Sequence, residues 1–93
     1  MFSGGTYEEV ARWLENFLTS HAKRERARAE VGLDTSGDRE GKSYGATLIL
    51  GERTSSLGDF DYADVARNRG SLAWCAAQAE RARAAVRTLS AAA

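Results

Sequence analysis

A single cysteine, a single histidine and no long apolar run set the first limits on this 93-residue chain. One thiol, Cys75, cannot close an intramolecular disulfide, which excludes the stapled frameworks of small secreted domains and predicts a reducing, cytoplasmic setting. With His21 as the only imidazole, no four-ligand zinc site can be assembled from soft ligands. Met1-Phe2-Ser3-Gly4-Gly5 leads straight into a charged amphipathic segment, so neither a signal peptide nor a membrane span is expected. An excess of one charge is missing too. The 13 basic and 13 acidic side chains cancel, which removes the strong positive field of a typical nucleic-acid or anionic-membrane binder.

What is present reads as one α+β domain covering residues 1–93. A chain of this length buries about 60–65% of its unfolded surface, so association with a second copy would add stability. Thr6-Tyr7-Glu8-Glu9 is a capping box, and Val10, Trp13, Leu14, Phe17, Leu18 and His21 follow at three- and four-residue spacing: a helix with one apolar stripe. From Arg26 the pattern alternates, with Ala27, Ala29, Val31 and Leu33 facing one way and Arg26, Arg28 and Glu30 the other, which predicts a strand. A second strand is expected from Tyr44 to Leu50, with Tyr44, Ala46, Leu48 and Leu50 inward. Gly45, Thr47, Ile49 and Gly51 then face outward. The polar segment Ser36–Lys42 joins the two as a hairpin loop.

A hairpin alone is marginally stable, so a third strand is needed, and Phe60 and Tyr62 alternating with Asp59 and Asp61 supply the candidate. The same region also fits a helix that starts near Asp61 and carries Tyr62, Val65, Ala66 and Arg69. That reading gives α-β-β-α with a longer last helix. Ser71 is the expected N-cap of a helix whose face carries Leu72, Cys75, Ala79, Ala82, Val86 and Leu89. The resulting architecture is α-β-β-β-α, a three-stranded antiparallel sheet with both helices on one face.

Several motifs resemble catalytic or binding signatures and fail on spacing. Gly37 to Ser43 spells G-D-R-E-G-K-S, but a phosphate-binding loop needs four residues between its glycines and a helix after it, whereas here a strand follows. Asp34-Thr35-Ser36-Gly37 resembles the Asp-Thr-Gly of aspartic proteases with a serine inserted. His21 and Glu25 stand at the i, i+4 spacing of a two-ligand site, yet a histidine near a helix C-terminus is already favourably placed against the helix dipole. Cys75 and His21 could form a nucleophile–base pair only if the fold joined them, and Cys75 lies in an apolar stripe where thiols are inert. No catalytic, metal-binding or cofactor site is expected.

The order α-β-β-β-α is similar to that of double-stranded-RNA-binding domains, which implies a nucleic-acid partner as the alternative function. Those domains place a Lys-rich cluster at the start of the last helix and a histidine-bearing loop after the first strand. Here stand Ser71-Leu72-Ala73-Trp74 and a loop with Asp38 and Glu40. The basic run of Lys23, Arg24, Arg26 and Arg28 is interrupted by Glu25 and reads as a charged guard on an edge strand. The leading expectation is an interaction module that forms a homodimer through the uncovered sheet face. Arg26, Arg28, Thr47 and Ile49 are its contact residues, with Trp74 as a second candidate.

Overall fold

A computed structural model describes residues 5–91. Its elements run α1 (Tyr7–Glu25), β1 (Glu30–Asp34), a 3₁₀ turn (Gly37–Arg39), β2 (Ser43–Leu50), β3 (Arg53–Asp61), α2 (Tyr62–Asn68) and α3 (Leu72–Ala91). The three strands form an antiparallel meander in the order β1-β2-β3. Helix α1 lies over β1, α3 lies over β2 and β3, and the two helices pack on each other. The expected architecture is therefore present, with α2 as an extra helix.

The capping box of α1 is formed in both directions: the Glu9 amide donates to Thr6 Oγ1 at 3.1 Å and the Thr6 amide to Glu9 Oε1 at 2.8 Å. Two of the four orphan amides at this end thereby gain acceptors. Val10, Leu14, Leu18 and Ala22 form the buried edge of the helix, while Trp13, Phe17 and His21 are half-buried beside it. At its other end Lys23 and Arg24 stand in the last turn, where cations complement the helix dipole. The helix persists through Glu25, so the expected strand from Arg26 is corrected. Arg26 is the extended C-cap, and the Ala29 amide donates to its carbonyl at 2.9 Å, closing a turn before β1 opens at Glu30. Ala29 and Val31 are buried as the alternation required, but Ala27 is exposed in the turn.

The third strand is longer than expected and begins earlier. Leu50 pairs with Arg53 across the two-residue turn Gly51-Glu52, and only Gly51 takes a positive φ, of 66°. That combination is a type II′ hairpin turn, whose twist suits antiparallel strands. Farther along, Ala46 pairs with Gly58 but Thr47 with Ser56, which leaves Leu57 as the extra residue of a β-bulge. Gly58 takes φ 96° there, and its amide donates to Ser56 Oγ at 3.0 Å. The extra residue shifts the phase of the strand, so that Leu57 and Phe60, three apart, both face the core. Asp59 and Asp61 are thereby turned outward.

Residues 59–66 combine the two readings of that region. The strand ends at Asp61, whose carboxylate caps α2 by accepting from the Asp64 amide at 3.1 Å. Tyr62, expected in the strand, is the first helical residue. The last helix opens as expected on Ser71, whose Oγ accepts from the Trp74 amide at 3.2 Å. Ala82 and Val86 are its buried centre, with Ala79, Ala85 and Leu89 partly covered. Leu72 departs from the expected stripe and is 88% exposed. It occupies the first helical position, where no neighbouring element reaches it. The contact with α1 is made two residues later, by Trp74.

Candidate functional site

Three surfaces gather side chains that could meet a ligand or partner. On the side of the sheet away from the helices, β1 presents Glu30 and Gly32, β2 presents Gly45, Thr47 and Ile49, and β3 presents Thr54, Ser56, Asp59 and Asp61. Among the described residues, neither long helix covers this face. Ile49, on the middle strand close to the β2–β3 turn, is its large apolar residue, 36% exposed beside Gly32, whose missing Cβ would stand 3.9 Å from Ile49 Cδ1.

Toward the β1–β2 loop the same face is occupied by Arg39, which sequence reasoning missed. Its Nη2 lies 2.9 Å from Asp59 Oδ1 and its Nε 3.5 Å from Asp34 Oδ2, so the guanidinium spans the sheet from β1 to β3. A Cβ at Gly45 would come 2.8 Å from Arg39 Cζ. Gly45 thus makes room for an arginine of its own chain. Asp34 Oδ1 also accepts from the Ser36 hydroxyl at 2.8 Å and amide at 3.1 Å. These bonds to Ser36, with Arg39 alongside, hold the Asp34 carboxyl below its ordinary range. The motif that resembled a protease signature is a capped turn.

The second surface is a seam between α1 and α3 on the outer side of the helical layer. Trp13 stacks on Phe17 at 5.0 Å and on Trp74 at 6.2 Å, and Phe17 meets the edge of His21 at 4.7 Å. Trp74 is half-buried in this contact, on the opposite side of the molecule from Ile49. Burial of His21, with Arg24 and Arg83 nearby, lowers its pKa. The Cys75 thiol donates to the Arg69 carbonyl at 3.4 Å. Glu25, the other residue of the i, i+4 pair, is taken by α3: Arg83 Nε and Arg87 Nη1 each donate to its Oε1 at 2.9 Å. The Arg83 hydrogen bond is the main cause of its lowered pKa, with the two positive charges adding to it against partial burial. Among the described residues, no cluster of three His, Cys, Asp or Glu could hold a metal ion.

The third surface lies where the α1–β1 connection, the β2–β3 turn and the end of α3 converge. A cleft of about 450 Å³ is lined by Arg26, Ala27, Arg28, Leu50, Arg53 and Ser90, with Gly51 at its rim. Arg26 Nε donates to Ser90 Oγ at 3.2 Å, and Arg53 Nη1 to the Leu89 carbonyl at 3.2 Å. Arg26 and Arg28, expected on the open sheet face, stand instead at the end of the sheet, because the chain there is helix cap and turn rather than strand. The five residues proposed as contacts therefore separate into three places: Thr47 and Ile49 on the sheet face, Arg26 and Arg28 at the cleft, and Trp74 on the seam.

Charge is distributed unevenly along the molecule even though the total is zero. Helices α1 and α3 run side by side in the same direction, with Trp13 against Trp74 near their starts and Glu25 against Arg83 and Arg87 near their ends. Lys23, Arg24, Arg26, Arg28 and Arg53 gather at the end where these helices finish. Asp34, Asp38, Glu40, Asp59, Asp61 and Asp64 gather at the other, where Arg39 and Arg67 offset part of their charge. The start of α3 carries no basic side chain, so the basic end lies away from the position that double-stranded-RNA-binding domains use.

The fold and these surfaces define a small α+β domain of order α-β-β-β-α-α with an open sheet face and an arginine-lined cleft. No family model, no curated protein and no solved structure matches the chain. Among the described residues, no helix is long and apolar enough to cross a membrane.

Proposed function

We propose that the chain is a self-associating interaction module that pairs with a second copy through the open face of its sheet. The observation that carries this reading is the open sheet face itself beyond Arg39, with Ile49 near the β2–β3 turn beside Gly32, Thr47 and Thr54. A two-fold axis lying between the two faces, parallel to the sheet and perpendicular to its strands, would lay the acidic end of one copy over the basic end of the other, so the uneven charge becomes complementary only in that antiparallel arrangement.

The size of the face sets the strength. Three strands about 4.8 Å apart and up to about 30 Å long give roughly 400 Å² of sheet, about half of what a standard interface buries per partner. A reversible dimer is therefore expected, with a Kd of about 10–100 μM, rather than an obligate one. A reducing, cytoplasmic setting, consistent with a lone half-buried thiol, completes the proposal.

Sedimentation equilibrium from about 10 μM to about 1 mM, around that Kd, would show a monomer–dimer transition. Ile49→Lys should abolish it without unfolding the chain, since a lysine on an exposed strand face costs little in the monomer but would be desolvated in the dimer. A chain that remains monomeric at the upper concentration refutes the proposal. A dimer indifferent to Ile49→Lys refutes the choice of surface and directs attention to the Trp13–Trp74 seam.

A further inference from the structure

We propose that the cleft at the basic end of the molecule is a binding site for a small phosphate monoester, with Arg26, Arg28 and Arg53 holding the phosphoryl group and Ala27 and Leu50 receiving the organic part. Its volume, about 450 Å³, falls within the range of about 300–1,000 Å³ typical of small-molecule sites.

Outside the cleft, Arg39 pairs with Asp34 and Asp59, Arg67 with Asp64, Arg83 with Glu25, and Arg87 with Glu25 and Glu80, while Arg81 donates to Gln78 and the Leu57 carbonyl. The cleft arginines have no carboxylate within ion-pair distance among the described residues, and no acidic side chain lines the cleft. Two of them are oriented by neutral acceptors, the Ser90 hydroxyl and the Leu89 carbonyl. Such bonds fix direction and leave the charge uncompensated. The third, Arg28, comes close to the turn, its Nη2 lying 3.6 Å from where a Cβ on Gly51 would stand.

Guanidinium groups do not lose their protons at any physiological pH, so three of them around one concave space repel each other until an anion enters. A phosphoryl group offers about two negative charges and three acceptor oxygens, which suits several forked donors better than a single carboxylate does. Ala27 and Leu50 add an apolar wall beside the charged one. That pairing favours an ester over the inorganic ion. The concentration of charge in one cleft, instead of along a stripe, favours a small ligand over a nucleic-acid backbone.

The test is titration of the isotopically labelled full chain with inorganic phosphate and with phenyl phosphate, followed by NMR at constant ionic strength. Saturable shifts are expected at the amides of Ala27, Arg28, Gly51, Arg53 and Ser90, with phenyl phosphate binding several-fold more tightly. Arg26→Gln and Arg53→Gln should each weaken binding about tenfold, the scale of one charge-assisted hydrogen bond. Arg67→Gln, on the far side, should leave it unchanged. Shifts reproduced by chloride, or equal losses from all three variants, would overturn the proposal. So would a short RNA or DNA duplex that binds with steep salt dependence and outcompetes phenyl phosphate, because the site would then read a backbone. Ile49→Lys separates this site from the dimer, since it lies outside the cleft and should leave phosphate binding intact.

Discussion

Tyr44→Phe would remove a single hydroxyl from the interior and leave everything else in place. Tyr44 is fully buried, its ring stacked on Tyr7 at 4.6 Å and meeting Tyr62 edge-on at 6.4 Å, and its hydroxyl donates to the Tyr7 carbonyl at 2.8 Å. The phenylalanine ring preserves both aromatic contacts. The Tyr7 carbonyl belongs to the first turn of α1 and keeps its intrahelical donor, so it is not orphaned when the hydroxyl is lost. The expected cost is thus one net hydrogen bond, about 0.5–1.5 kcal/mol, rather than the larger penalty of a stranded polar group. In a domain of this size that corresponds to a fall in Tm of roughly 4–8 °C per kcal/mol. The pH dependence gives a second reading. Burial, with the neighbouring phenols of Tyr7 and Tyr62 next in importance, pushes the Tyr44 pKa well above that of a free tyrosine. The folded chain therefore retains a proton that the unfolded chain releases above about pH 10, and stability declines there as pH rises. The variant should show a shallower alkaline decline, though not a flat one, because burial also raises the pKa of Tyr7. Denaturant unfolding between neutral and alkaline pH measures both effects. An unchanged midpoint at neutral pH together with an unchanged alkaline limb would refute the reasoning.

Two further changes test separate links. Ser71→Ala should destabilise the chain by about 0.5–2 kcal/mol in thermal or urea unfolding, because the Trp74 amide loses its acceptor at the start of α3. Glu25→Gln should flatten the acid limb of stability. The Glu25 carboxylate is held below its ordinary pKa by Arg83 and Arg87, so its contribution is present above the ordinary glutamate range and disappears as pH falls through the lowered value. Unfolding midpoints of the two proteins should converge at low pH, and parallel curves would sink that assignment.

The helical elements and β2 were legible because their signals are local and periodic: the capping box at Thr6, the stripe from Val10 to Leu18, the alternation from Tyr44 to Leu50, and Ser71 before a run of helix formers. Strand β3 was largely illegible for two physical reasons. Arg53-Thr54-Ser55-Ser56 is polar on both faces, and the bulge at Leu57 breaks the period of two on which a strand is recognised. Its start was nonetheless encoded in Gly51-Glu52, a glycine-led pair between two runs that later pair with each other. The alternation at Arg26–Glu30 misled because alanine and arginine fit either a helix end or a strand, and the choice depends on where α1 loses its partner in space. The cleft escaped notice since Arg53 and Ser90 are far from Arg26 in the chain. Arg39 was hidden likewise, as nothing local says that a loop arginine lies across the sheet over Gly45.

The two edges of the sheet determine what kind of assembly the chain can reach. Strand β1 is five residues long and bears an acidic residue at each end, Glu30 and Asp34. Strand β3 is bent by its bulge, and the carbonyl of the bulged Leu57 already accepts from Arg81 Nη2 of α3, whose guanidinium also lies over the Phe60 ring at 5.5 Å. Neither edge offers the long, straight row of unpaired amides and carbonyls on which strands of other copies could add in succession. Growth in the plane of the sheet is thereby interrupted at both sides. A pair formed face to face consumes its own surface and leaves nothing to extend it. If the proposed pair forms, the chain should stop at two copies even at high concentration, and neither fibres nor larger oligomers should follow.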